Sequence, residues 1–121
     1  MRLGFSTGAL YNTGIPINER IEFFKKLDCS AIELGYLKEE RQTKEPLEEI
    51  DSNLLESFSW VSLHAPGGDW KIKNDEKTLS MLKDIQIFHR RRPLDLVVFH
   101  PDSIEDFSVM ERLSFPIAIE N

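Results

Sequence analysis

Three short apolar runs in this sequence each end on a side chain that can bind a metal: WVSLH at 60–64, LVVFH at 96–100 and PIAIE at 116–120. Two imidazoles and a carboxylate are an ordinary ligand set for a divalent ion such as Zn²⁺, Mn²⁺ or Co²⁺, with Mg²⁺ as a further candidate. A lone histidine at a strand end is more often a hydrogen-bonded structural residue than a ligand. Repetition sets this trio apart. His64, His100 and Glu120 end three consecutive strand-like runs, and neighbouring strands lie about 4.8 Å apart, so three adjacent tips can converge on one ion.

Two earlier runs, residues 3–7 and 31–34, also read as strands. Side chains alternate faces along a strand. Counting back from each tip puts Ser6, Glu33, His64, His100 and Glu120 on one face. Gly4, Ala31, Ser62, Val98 and Ala118 lie beneath them. The other face carries Leu3, Phe5, Ile32, Leu34, Val61, Leu63, Val97, Phe99, Ile117 and Ile119, all bulky and apolar. Strands in the middle of an open doubly wound sheet are apolar on both faces. A one-sided polar layer at the strand tips instead matches the interior of a closed barrel near its catalytic rim.

The intervening segments must return the chain from one tip to the next base. Residues 8–16 read as a loop. Asn18 is placed to cap a helix with Ile17, Ile21, Phe24 and Leu27 on one face. Pro46 is placed to open a second helix through Leu47, Ile50, Leu54 and Phe58. The loop 65–68 is Ala-Pro-Gly-Gly. Asn74 is placed to cap a longer helix with Leu79, Leu82, Ile85 and Phe88. Asp102 or Ser103 starts a short one with Ile104, Phe107, Met110 and Leu113. Strands occupy 60–64, 94–100 and 115–120. The expected fold is therefore α/β, a parallel (β/α) barrel of the TIM type, here a partial barrel of (βα)₄β topology in a single domain over 1–121.

Composition narrows the setting. The 121 residues are 40% hydrophobic and 30% charged, which suits one small domain with its own core. No apolar run is long enough for a membrane span, and no secretory signal core is present at the start. The single cysteine, Cys29, has no partner for an internal disulfide, and a cytoplasmic location is the expectation. A net charge of −6 disfavours nucleic acid. The basic run Arg90-Arg91-Arg92 reads as a cationic helix C-terminus. His89, beside it, reads as solvent-facing and Trp60 as packing. Trp70, in the loop after His64, is a candidate substrate contact, and Ser6 is another.

The segments AIELG (31–35), VSLHAPG (61–67), LVVFHPDS (96–103) and IAIEN (117–121) together resemble the xylose isomerase-like (β/α)₈ superfamily, which includes sugar phosphate isomerases and epimerases and the endonuclease IV type of apurinic-site nuclease. The resemblance runs along the whole chain, in order. It implies metal binding at Glu120. It implies metal or substrate contact at His64 and His100, which are catalytic candidates together with Glu33, a polar support. In the nuclease branch all three of His64, His100 and Glu120 would hold metal. The family often has Gly at the turn before the second strand, where this chain has Asp28-Cys29. Cys29 then reads as a small buried or turn residue.

The resemblance covers the N-terminal half of a barrel that needs eight units and about 250 residues. The first expectation is thus a divalent-metal-dependent isomerase or epimerase of a small-molecule sugar or hydroxy-carbonyl substrate, inactive as a truncated chain. An apurinic-site nuclease and a noncatalytic half-barrel fragment are the alternatives. Open sheet edges make self-association an expected hazard.

Overall fold

The computed structural model describes residues 3–35 and 47–120. Its centre is a five-stranded, wholly parallel sheet of β1 (Gly4–Ser6), β2 (Ala31–Gly35), β3 (Trp60–His64), β4 (Leu96–Phe99) and β5 (Ile117–Ile119). The spatial order is β1-β2-β3-β4-β5. It follows the chain without reversal, so among the described residues there is no switch point of the doubly wound kind.

Two α-helices, α1 (Ile17–Lys26) and α2 (Glu76–Arg91), pack on the apolar face of the sheet. Ile32, Leu34, Val61, Leu63, Val97 and Phe99 from the strands are buried there with Ile21, Phe24, Leu55, Ile85 and Phe88. The opposite face is more open. Ala31, Val98 and Ala118 are half-buried and Gly4 is exposed. Period-two alternation therefore sorted the central strands as expected, but Leu3, Phe5 and Ile119, expected under the helices, are exposed at the sheet edges, and Ser62 is buried on the opposite face.

The return segments depart from the expected helices. Residues 47–58 form two 3₁₀ pieces, Leu47–Glu49 and Ser52–Ser57; Pro46, the expected opener, lies outside the described residues. The break falls at Asp51, whose carboxylate accepts from Asn53 N at 3.0 Å. Asn18 completes it. Its amide donates to Glu49 O and accepts from Asp51 N, both at 2.9 Å. Asn18 thus joins α1 to this segment, and Pro16 occupies the N-cap position of α1 with no side-chain cap bond. Side-chain bonds to nearby backbone offer an alternative to the helical ladder, and here they win.

The same competition breaks residues 101–113 into Pro101–Ser103 and Phe107–Met110. The N–H groups of Glu105 and Asp106 go to Ile72 O, at 2.9 and 3.2 Å, and Asp106 caps the second piece through Ser108 N. Residues Thr7–Thr13 form a 3₁₀ turn where a loop was expected, closed by Gly14 at φ 72°. Arg20 is buried and secures that turn to α1, donating to Ile15 O at 2.7 Å and Thr7 O at 3.2 Å.

Smaller shifts have local causes. The strands at 3–7, 94–100 and 115–120 are shorter than expected, and α2 starts one residue later, capped by Asp75 rather than Asn74. Its buried stripe is Thr78, Met81, Leu82, Ile85 and Phe88, which leaves Leu79 about half exposed. Leu27, past the end of α1, is also exposed. His89 is not turned to solvent: it is half-buried, and its Nδ1 accepts from Leu94 N at 3.0 Å. Arg91 donates to Leu47 O at 2.8 Å and lies over the Phe88 ring, so the basic helix end also anchors a return segment. Trp60 packs only partly and is 40% exposed. Among the described residues, no helix is long and apolar enough to cross a membrane.

The turn before β2 holds Asp28 at φ 56°, the one non-glycine residue with positive φ among those described. Left-handed backbone costs an L-residue roughly 1–2 kcal/mol, and glycine escapes that cost. Asp28→Gly is therefore expected to stabilise the fold by about 0.5–1 kcal/mol, read as a higher denaturant midpoint with an unchanged m-value. Cys29, next to it, is buried and donates its thiol to Phe24 O at 3.0 Å. Burial pushes its pKa up, which suits a packing residue and not a nucleophile.

Asp75 gives a pH signature. Hydrogen bonds from the Thr78 backbone N–H and side chain hold its carboxyl below the usual range. The folded state thus favours the charged form. The cap's contribution is full above the ordinary carboxylate value of about 3.9 and fades as pH falls through the lowered folded value. Asp75→Ala should lower the melting temperature at pH 7, and the gap from wild type should narrow as pH falls below the ordinary carboxylate value. A gap independent of pH would contradict this.

Candidate metal centre

His64 ends β3, His100 follows β4, and Glu120 follows β5. In register, Ser6, Glu33 and Ser62 lie level, and Gly35, His64, Val98 and Ala118 lie level one pair farther along. His100 is two residues beyond Val98, about 6.6 Å farther up its strand direction. Glu120 N donates to Phe99 O at 2.9 Å, which sets Glu120 beside His100. The five polar tip residues therefore share a face but not a level. The rim is stepped, as staggered parallel strands require.

The step does not keep the trio apart. Glu120 Oε2 lies 3.5 Å from His64 Nε2 and 3.5 Å from His100 Nδ1. One ligand atom from each of the three residues falls within 4.8 Å of the others. The two imidazole rings sit 4.7 Å apart, centroid to centroid, tilted by 59°. All three side chains keep solvent access, and Glu120 is half exposed.

Protonation logic explains why this arrangement invites a cation. His64 Nδ1 is 3.1 Å from Ala65 O. A carbonyl oxygen only accepts, so a hydrogen bond there places the proton on Nδ1. With one ring proton, placed there, His64 aims the lone pair of Nε2 at a carboxylate oxygen. Two acceptors face each other, and the contact is attractive only with a proton or a metal ion between them. Ligand atoms that share a tetrahedral ion with bonds of about 2.1 Å are about 3.4 Å apart. The two 3.5 Å separations match that spacing, and with all three ligand atoms within 4.8 Å of one another the donor set could hold a divalent ion.

Two glycines shape the approach. A Cβ at Gly67 would sit 2.7 Å from His100 Cδ2, so the ring rests directly on the Gly67 backbone. A Cβ at Gly4 would meet Ala31 Cβ at 3.0 Å, which keeps the open face of the sheet shallow near β1.

The other expected site residues are placed apart from this cluster. Glu33 is half-buried on β2, level with Ser62 rather than with His64. Ser6 caps the first 3₁₀ turn by accepting from Gly8 N at 3.3 Å. Trp70 is 7% exposed, with Lys77 Nζ 4.1 Å above its ring. Sequence reasoning passed over Ala65, whose carbonyl orients His64, and over Gly67 and Ser103, which border His100. The only available signal was glycine three residues after a strand-end histidine, where close approach of another group is a standard use of that residue. No protein-family model, no curated protein and no solved structure matches the chain.

Proposed function

We propose that this chain forms an arc of a (β/α) barrel of the xylose isomerase-like type and carries part of a divalent-metal centre for isomerisation or epimerisation of a sugar or related hydroxy-carbonyl compound. The observation that carries the reading is the meeting of His64, His100 and Glu120 around one carboxylate oxygen. Sequential parallel strand order and one-sided cover by helices support the barrel.

In this reading His64, His100 and Glu120 hold the ion. A bound divalent ion supplies Lewis acidity toward a carbonyl or hydroxyl oxygen. Ala65 O keeps the proton of His64 on Nδ1 and so keeps Nε2 available. Glu120 supplies negative charge between two neutral rings. Glu33, lower on the same face, serves as polar support. The net charge of −6 suits a small substrate better than a polyanion.

The same convergence admits the nuclease branch as a second reading, since there too all three residues would hold metal. The experiment that decides is a turnover assay of the metal-loaded protein on a panel of aldoses, ketoses and hydroxy-keto acids, beside an abasic DNA duplex. Metal-dependent interconversion of a sugar supports the first reading. Strand cleavage with no sugar turnover supports the second.

A further inference from the structure

Among the described residues, two buried polar side-chain atoms lack any hydrogen-bond partner: Trp70 Nε1 and Ser103 Oγ. Buried hydroxyls are mostly paired, so an orphan calls for a cause. Ser103 is fully buried, and its backbone is held on both sides. Its N–H donates to His100 O at 3.1 Å, and its carbonyl accepts from Ile72 N–H at 2.7 Å. A parallel bridge between Ile72 and Ile104, and Lys71 Nζ on Asp102 O at 2.9 Å, tie the two rim loops around it.

The location of the hydroxyl is specific. A Cβ at Gly67 would lie 3.4 Å from Ser103 Oγ and 2.7 Å from His100 Cδ2. The hydroxyl and the Cδ2 edge of the imidazole thus border the same small space over Gly67. Within the ring, Cδ2 is bonded to Nε2, while Nδ1 is the nitrogen that faces Glu120. A histidine that gives one nitrogen to a metal carries its proton on the other, and that N–H almost always has an acceptor. His64 meets this condition through Ala65 O. His100 Nε2 has no acceptor among the described residues. An imidazole edge without an acceptor and a buried hydroxyl without a partner thus border the same space, with no hydrogen bond between them in this structure.

We propose that Ser103 is a positioning residue for His100: its hydroxyl accepts from the Nε2 proton of the metal-holding ring and so fixes its tautomer and plane. This rests on the metal-centre reading above. The bond is absent from this structure and is expected to form when an ion engages Nδ1 and leaves the ring proton on Nε2.

The test is a Co²⁺ titration of the wild-type chain and of Ser103→Ala, followed by visible absorption, with a thermal melt of each metal-free protein. Ser103→Ala is expected to bind Co²⁺ roughly 10- to 100-fold more weakly. Metal-free, it should melt at the same or a higher temperature, because the substitution deletes an unpaired buried hydroxyl. Affinity and stability thus move independently or in opposite directions, which a residue that only packs would not produce. Equal Co²⁺ affinity in the two proteins overturns the proposal and leaves the metal centre standing. A parallel fall in melting temperature and affinity assigns Ser103 to packing and also overturns it. Absence of Co²⁺ binding by the wild type overturns both readings.

Discussion

Glu120→Gln should weaken Zn²⁺ or Co²⁺ binding by more than about a hundredfold while the fold survives. Metal sites of four protein ligands are worth about 10–16 kcal/mol, or about 3 kcal/mol per ligand, and 1.4 kcal/mol is tenfold. Glu120 is the shared element, 3.5 Å from both imidazole nitrogens, so its removal takes away a ligand and the only negative charge of the trio. Its side chain is half exposed and lies past the end of β5. Exposed substitutions of this kind change stability by about 0.5 kcal/mol or less. Calorimetric titration of metal into both proteins, with a melt of each, reads the two quantities separately. Undiminished binding by the variant would move the ion elsewhere in the molecule.

The second large effect is expected at a residue with no side chain. In Gly67→Ala the new methyl would stand 2.7 Å from His100 Cδ2 and 3.4 Å from Ser103 Oγ. One of the contacts must give. The ring belongs to a side chain with 36% exposure and a route to solvent, whereas Ser103 is held in the buried bridge between loops. His100 therefore swings away from Glu120 and the centre loses a ligand. Metal affinity should fall at least tenfold to a hundredfold, with a modest loss of stability, because the fold yields at its rim and not in its core. A Gly67→Ala protein that binds metal normally would show that the ring has room the structure does not give it.

Strand positions and the two faces of the sheet were legible because each depends on nearest neighbours along the chain. Alternation in WVSLH and LVVFH needs no knowledge of distant residues. The helical returns were half legible. Around α1 and α2 the apolar stripes were read nearly as they stand. At 47–58 and 101–113 the same kind of stripe is present, yet helices do not form. There the backbone N–H groups and carbonyls find partners that sequence periodicity does not weigh: the Asn18 amide from 31 and 33 residues away, and Ile72 O from the neighbouring loop. Leu79 and Leu27 were read as core for the same reason, since a stripe sets a face but not the exact arc that the sheet covers.

The residue types of the candidate centre, and their places at the ends of three successive strands, were determined by the sequence alone. So was the sorting of His64, His100 and Glu120 onto the polar face, because side chains on a strand alternate with a period of two. Their convergence was decided by tertiary structure. Register set His64 a step below His100, and the strand spacing, the reach of the side chains and the bare backbone at Gly67 then closed the gap. The tautomer of His64 and the orphan hydroxyl of Ser103 were likewise decided only there. Both depend on which backbone carbonyl or ring edge lies opposite, and pairings between loops of different strands leave no periodic trace in the chain.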